Sequence, residues 1–448
     1  MANIKVNFAG RTIDAVRPLH GVNSGPMTKV FTYDARPQFK EAGIPYARLH
    51  DVEYPYGSGE FVDIPCIFRN FDADENDPAN YNFGLTDEYL KACIEVGSEP
   101  FFRLGVSIEH APVKRHVFPP KDYAKWARIC EHIIRHYTEG WADGFNWNIK
   151  YWEIWNESDN CAKGGTNMWI GTPEQFYEFY CVTATYLKGK FPHLMIGGCA
   201  FTRAHSEFME NFFKYITSKP DKVPLDFYSW HRYYSDINTL LTSAEQAKDL
   251  MERYGYGDSE SIFDEWNYMR DWADQSDSYV TLKNYIGAAF CGATLCAMQS
   301  KTNIAVATYF EGDVVKEWCG LFDVDKMAIG NRAKATVKCL KPFYTFKAFN
   351  ELYKMKDAKL AECDADNIYT CAASDGKRAA VIAANYNNED TELTFDLSGI
   401  PAGEPVEVRL VDESKTFEKI MTLEGNANLK LVVPVKNNSF VYVGSAVK

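Results

Sequence analysis

Ile149-Lys-Tyr-Trp-Glu-Ile-Trp-Asn-Glu157 is a short apolar run that closes on two polar residues. An apolar run of this length, flanked by helical patterns, reads as a buried parallel strand. Working outward, the same pattern recurs. Tyr46-Ala-Arg-Leu-His50 and Glu99-Pro-Phe-Phe-Arg-Leu104 precede it, and Leu194-Met-Ile-Gly-Gly198, Leu225-Asp-Phe-Tyr-Ser-Trp230, Ser261-Ile-Phe-Asp264 and Ala305-Val-Ala-Thr-Tyr-Phe310 follow. His20-Gly-Val-Asn23 supplies an eighth strand end. Helical patterns lie between them. Lys121 to Tyr137 brings Tyr123, Trp126, Ile129, Ile133 and Ile134 near one face, and Pro173 to Lys188 follows Thr172, a natural N-cap. Strand then helix, repeated, requires a parallel sheet with crossover helices. Eight units over about 330 residues predict an α/β fold, a (β/α)8 TIM barrel, over residues 16–345. An open doubly wound sheet is the rival, but no glycine-rich phosphate loop follows the first strand.

The character changes after about residue 350. Asn367 to Ala372, Arg378 to Ala384, Thr391 to Asp396, Val406 to Val411 and Phe440 to Val443 alternate with Asp375-Gly376, Asn387-Asn388 and Asn437-Asn438 turns. These predict a small accessory antiparallel β-sandwich over 346–448, with residues 1–15 as a hairpin able to join it.

Charge and composition exclude several classes. The 448 residues carry 48 Lys plus Arg against 61 Asp plus Glu, a formal charge of −13, and no long basic run is present to track nucleic acid. The longest uncharged stretch, Asn284 to Ser300, is rich in Gly, Ala and Cys, and reads as a helix buried against the barrel, not as a membrane span. Twelve cysteines without a C-x-x-C pair read as free thiols of a reducing compartment, and the amino terminus lacks an apolar signal-peptide core, so the expected location is cytoplasmic. His132 and His136 share a helix at i, i+4. The intervening Ile-Ile-Arg lacks the zincin glutamate, so they are expected on a solvated face, and no metal or organic cofactor is expected. Gly57-Ser-Gly59 reads as a flexible turn.

The chemistry concentrates at two strand ends. Tyr151 to Glu157 ends in Asn156-Glu157, and Ser261-Ile-Phe-Asp-Glu-Trp-Asn267 carries Glu265. Their separation is 265 − 157 = 108 residues, or three units of about 36, which suits strands four and seven. Polar residues that close barrel strands project into the catalytic mouth. Two facing carboxyls there suit glycoside hydrolysis, with Glu265 ionised as nucleophile and Glu157 protonated by mutual repulsion. A sugar-binding barrel without turnover is the alternative from another class. A barrel lyase is weaker, since no lysine closes a strand inside the mouth.

These segments resemble glycoside hydrolase family 39, a family of retaining (β/α)8 glycosidases. Pro119 to Trp126, Val223 to Tyr233 and Lys341 to Asn350 extend the likeness over most of residues 16–352. The resemblance implies that Glu157 is the acid/base and Glu265 the nucleophile. It also implies that His50, Asn156, His231 and Tyr233 contact the sugar, that Tyr309 stands where a strand-eight tryptophan is common, and that Glu317 is a substrate-binding acid. The chain departs from the pattern at Ser158, where proline is usual, at Asp264, where Thr or Ser usually precedes the nucleophile, and at Val106, where xylosidases carry an aromatic. The implied activity is an exo-acting β-D-xylosidase on short plant-derived oligosaccharides, with an arabinose-releasing enzyme as the alternative. A homo-oligomer is compatible with the family.

Overall fold

The computed structural model describes residues 1–28, 33–52, 60–109, 111–160, 167–314, 317–326, 336–401, 403 and 405–447. The turn expected at Gly57–Gly59 lies outside the described residues. Eight parallel strands close into a barrel in chain order: Gly21–Asn23, Tyr46–Arg48, Glu99–Leu104, Tyr151–Ile154, Met195–Phe201, Phe227–Tyr234, Glu260–Tyr268 and Ile304–Tyr309, the eighth pairing with the first. Each expected run is thus a barrel strand. The helices begin where their caps demand. Asp122 accepts from the Lys125 N–H to open Tyr123–Thr138. Thr172 and Gln175 satisfy each other's backbone N–H groups to open Pro173–Lys190.

Alternation along the strands sorts the barrel interior into layers. Tyr46, Phe101, Tyr151, Phe227, Ile262 and Val306 pack together as an apolar layer. Two residues further along the same strands stand Arg48, Arg103, Glu153, Ser229, Asp264 and Thr308, all buried. The apolar layer seals one end of the barrel interior, and the polar layer lies between it and the mouth. Gly197 permits the close approach of strand six, because a Cβ there would lie 2.3 Å from the Phe227 carbonyl oxygen.

Two further sheets form the sandwich. One orders Ala361–Cys363, Ala2–Asn7, Thr391–Ser398 and Asn428–Val435. The other contains Asp14–Ala15, Asp357–Lys359, Ile368–Ser374, Ala379–Asn385, Ser439–Ser445, Val406–Val411 and Thr416–Leu423. Ile4, Val6, Val381, Phe395, Val433 and Val443 fill the space between them. The pairing is antiparallel except for Ala2–Asn7, which runs parallel to Thr391–Ser398. The apolar helix Tyr285–Lys301 is buried nearly all round, because its other face packs on Ile368–Ser374 and Ala379–Asn385. Among the described residues, no helix is long and apolar enough to cross a membrane.

The histidine pair differs from its expected solvated setting. His132 and His136 are buried. His136 bridges the Trp141 carbonyl at 2.8 Å and Asp87 at 3.0 Å, and its ring stacks on Phe83. The aromatic run Phe83, Trp141 and Phe145 covers this helix face. The described cysteines are free thiols, nine of them buried.

Candidate active site

Arg48 organises the mouth from strand two. It is fully buried and donates to Glu153 (2.7 Å), Asn23 (2.9 Å), Glu265 (2.8 Å) and Asn156 (2.8 Å). The four acceptors come from strands one, four and seven and from the segment after strand four, so one guanidinium fixes three strand ends.

Strand four ends in a kink. Trp155 (φ 73°) and Glu157 (φ 47°) adopt left-handed backbone, which costs non-glycine residues about 1–2 kcal/mol each. Bonds from Trp155 Nε1 to the Met168 carbonyl and from the Glu157 N–H to the Ala200 carbonyl, both 2.9 Å, hold it. Gly105 makes room, since a Cβ there would lie 2.8 Å from Trp155 Cα. The kink sends Glu157 over the mouth and leaves Asn156 Nδ2 buried without a partner among the described residues, a donor free for a ligand.

Strand seven solves a different problem. Consecutive strand residues face opposite ways, yet Asp264 and Glu265 both face inward. The register explains this: Trp230 pairs with Phe263 and His231 with Glu265, so Asp264 is an extra residue in a bulge. Glu265 Oε1 accepts from Arg48, and Oε2 accepts from the Tyr233 hydroxyl at 2.8 Å. His231 lies between the two carboxyls, with Nδ1 2.9 Å from Glu157 Oε1 and 3.3 Å from Glu265 Oε2, and Nε2 3.3 Å from Asp264 Oδ2. His50 Nε2 is 3.5 Å from Glu265 Oε1. A carboxylate oxygen of Glu157 lies within 4.8 Å of one of Glu265.

Burial raises the Glu265 carboxyl above the ordinary glutamate value. His231 and Arg48 pull it back, while Glu157 and Asp264 add to the rise. Glu265 is the more deeply buried of the two carboxyls (4% exposed against 9% for Glu157). Donors on both Glu265 oxygens nevertheless suit the ionised form. Burial opposes a charged His231, yet Glu265, Asp264 and Glu157 together hold its imidazole well above the usual histidine range. Beneath it, burial pushes Glu153 up to about 8 against the pull of Arg48. Asp264 is held below the usual aspartate value because His231 and Arg48 outweigh its burial.

The mouth has an aromatic wall. Tyr233 contacts Trp318 (4.9 Å between ring centroids) and Trp272 (5.5 Å), and Phe310 contacts both Trp318 and His50. Trp272, in the loop after strand seven, is 56% exposed. Two expected residues are not brought to this wall. Tyr309 is fully buried behind the barrel, its ring against Trp266 and Phe346, because strand alternation turns Phe310 to the mouth in its place. Glu317 is exposed, whereas Glu311, directly after Phe310, is buried and accepts from the Ser24 hydroxyl at 3.1 Å. Glu311 is the acid that strand eight delivers to the mouth. Trp230 and Trp266, also near the strand ends, are core residues.

The donor atoms of Glu157, His231 and Glu265 are close enough together to hold a cation. A charged imidazole has no lone pair to give, however, and Arg48 already neutralises Glu265, so the set fits proton chemistry better than a metal. A (β/α)8 barrel with two close carboxyls and an aromatic wall at the carboxyl ends of its strands has the architecture of a glycoside hydrolase. Residues 22–285 match the model of glycosyl hydrolases family 39, and the chain belongs to that family. A β-xylosidase of Geobacillus stearothermophilus is 28% identical over 220 residues, which cover 45% of this chain and 42% of that protein. A funoran endo-β-hydrolase of Wenyingzhuangia aestuarii is 24% identical over 307 residues, 60% of this chain and 39% of that protein. The chain therefore matches well under half the length of these curated relatives. A solved glucosidase from Croceicoccus marinus shares the fold over 100% of both chains, with TM-score 0.80 and 21% identity.

Proposed function

We propose that this protein is a retaining glycosidase working by double displacement, with Glu265 as nucleophile and Glu157 as acid/base. The observation that carries this reading is the approach of the two carboxyls to within 4.8 Å. Retaining enzymes hold theirs about 5–5.5 Å apart, whereas inverting enzymes need roughly 6.5–9.5 Å to admit a water. Arg48 and Tyr233 keep Glu265 ionised and aimed. Glu157 protonates the departing oxygen as Glu265 attacks the anomeric carbon. Once Glu265 is an ester its charge is gone, and Glu157 acts as base for the incoming water. Asn156 Nδ2 is positioned to donate to the sugar hydroxyl beside the reacting carbon. His50, Tyr233 and Phe310 line the pocket.

The substrate we propose is a short β-D-xylosidic oligosaccharide, supported by the family and by the relative named as a β-xylosidase. A second reading, cleavage within a longer chain, is favoured by one feature: Trp272 extends the aromatic wall outward into solvent, where a second sugar ring could stack. Residues 16–345 would carry the reaction and 346–448 with 1–15 would act as its accessory domain. The free thiols support a cytoplasmic setting.

A panel of nitrophenyl glycosides tests the reading: β-xyloside, α-L-arabinofuranoside, β-glucoside, β-galactoside and α-L-arabinopyranoside, beside Glu265→Ala. A β-xyloside signal that falls by about two orders of magnitude or more in Glu265→Ala supports both reaction and substrate. A variant retaining more than a few per cent of turnover removes Glu265 as nucleophile. Saccharide affinity without turnover on any substrate would make the barrel a binding module.

A further inference from the structure

Glu153 and Asp264 lie beneath the catalytic carboxyls, and the double displacement uses neither. Both are fully buried. Glu153 accepts from Arg48 Nε at 2.7 Å and from Ser229 Oγ at 2.7 Å, and it lies within hydrogen-bonding reach of Asp264. Among the described residues, no N–H or O–H is aligned on either Asp264 side-chain oxygen. Arg48 Nε and His231 Nε2 each stand 3.3 Å from Asp264 Oδ2, near enough for charge attraction but off the line of a hydrogen bond. A buried carboxylate with no aligned donor is expensive, so the position calls for a proton.

Counting charges gives the same answer. Four carboxyls (Glu153, Glu157, Asp264 and Glu265) share one network with two cationic side chains, Arg48 and His231. The network is neutral only when two carboxyls hold protons. One is the proton that Glu157 gives to the leaving oxygen. The other has to sit on the Glu153–Asp264 pair, away from the reacting atoms.

We infer that Glu153 carries a proton at neutral pH and donates it to Asp264, and that this acid–carboxylate pair positions His231 as an imidazolium between Glu157 and Glu265. The inference rests on the assignment of Glu157 and Glu265 above. The groups that face His231 are Glu157 and Glu265 at Nδ1 and Asp264 at Nε2. Arg48 lies across the network on strand two, and Asp159 lies beyond Glu157 in the following loop. Glu153 and Asp264 touch no reacting atom and act through the imidazole. A doubly protonated ring can only donate. Its Nδ1–H is therefore committed to Glu157 Oε1, which confines the acid proton of Glu157 to Oε2. Asp264 is one of the chain's departures at the position before the nucleophile, and the bulge that turns it inward is what creates the pair.

The test has two arms, both on the full chain. The first needs no substrate: 15N NMR of His231 in the wild type, assigned by loss of its signals in His231→Gln. Both ring nitrogens should show protonated shifts throughout pH 5 to 8. A ring that is neutral at pH 7 overturns the inference, whether or not the protein cleaves any glycoside. The second arm compares Glu153→Gln with Asp264→Asn. Glutamine keeps the shape of the protonated acid and its donor to Asp264, so kcat/KM should stay within about threefold of wild type and His231 should stay protonated. Asparagine removes the counter-charge, so kcat should fall about 10- to 100-fold and the His231 shifts should titrate within pH 5 to 8. If Glu153 is an ionised partner of Arg48, Glu153→Gln loses activity as severely as Asp264→Asn, and the inference fails.

Discussion

Tyr233→Phe isolates a single hydrogen bond to Glu265, the proposed nucleophile. The hydroxyl donates to Glu265 Oε2 at 2.8 Å, and the ring is held separately by Trp272 and Trp318, so removing the oxygen leaves the wall intact. A hydrogen bond to a charged group contributes about 1.5–3 kcal/mol, or roughly a 10- to 150-fold change in rate when it is realised in one step only. The step can be identified. In the proposed double displacement Glu265 is a neutral ester in the glycosyl-enzyme and regains its charge as water displaces it. The hydroxyl therefore assists deglycosylation, in which the carboxylate re-forms, more than glycosylation, in which the carboxylate is consumed. On an aryl glycoside with a good leaving group, kcat should fall by that factor, KM should fall with it, and a pre-steady-state burst of phenol should appear. A raised KM with unchanged kcat would mean that Tyr233 only binds sugar, and the assignment of its hydrogen bond to the nucleophile's chemistry would be wrong.

Other outcomes follow from the same geometry. Glu157→Ala should keep substantial turnover of activated aryl glycosides, and azide should restore its deglycosylation with a glycosyl azide product. Absence of that product removes Glu157 as acid/base. Trp272→Ala, at an exposed position, should leave thermal stability within about 0.5 kcal/mol of wild type while raising KM for oligosaccharides roughly three- to tenfold. Equal KM values for a disaccharide and a longer chain would place Trp272 outside the substrate path. Stability should also depend on pH through Glu153. Its folded pKa, raised to about 8, exceeds the unfolded value near 4.5, so the folded state holds the extra proton between those limits and stability declines as pH rises through them. The effect is at most about 5 kcal/mol, and the opposite shift of Asp264 acts below its own unfolded value, outside this window. Glu153→Gln should flatten the decline, as read by urea denaturation at pH 5 and pH 8.

The strand ends were legible because parallel barrel strands are short apolar runs at a regular spacing, and each of the eight runs is a strand. A lone glutamate at a strand end is usually a solvated rim residue, so Glu157 and Glu265 stood out as a pair, at the spacing of three barrel units. Arg48 and Glu153 were overlooked, and Asp264 was noted only as a departure before Glu265, although all three carried a signal of their own: each is a charge set inside an apolar run, in phase with an inward-facing aromatic or aliphatic residue two positions earlier. Tyr309 was misplaced for the converse reason. A one-residue difference reverses the face of a strand, and the sequence alone does not tell which of Tyr309 and Phe310 looks into the mouth. The bulge at Asp264 was invisible, since it arises from pairing with a strand more than thirty residues away. Glu311 and Trp272 lie in or beside loops, where no periodicity announces direction.

A carboxyl separation within 4.8 Å suits retention, not inversion, at the anomeric carbon. The most direct test is a 1H NMR time course of hydrolysis of whichever glycoside the panel shows to be cleaved, read at the anomeric proton before mutarotation. The first sugar formed should keep the anomeric configuration of the substrate. An initial product of the opposite anomer would mean that water attacks directly, that Glu265 forms no covalent intermediate, and that the proposed roles of Glu157 and Glu265 are wrong.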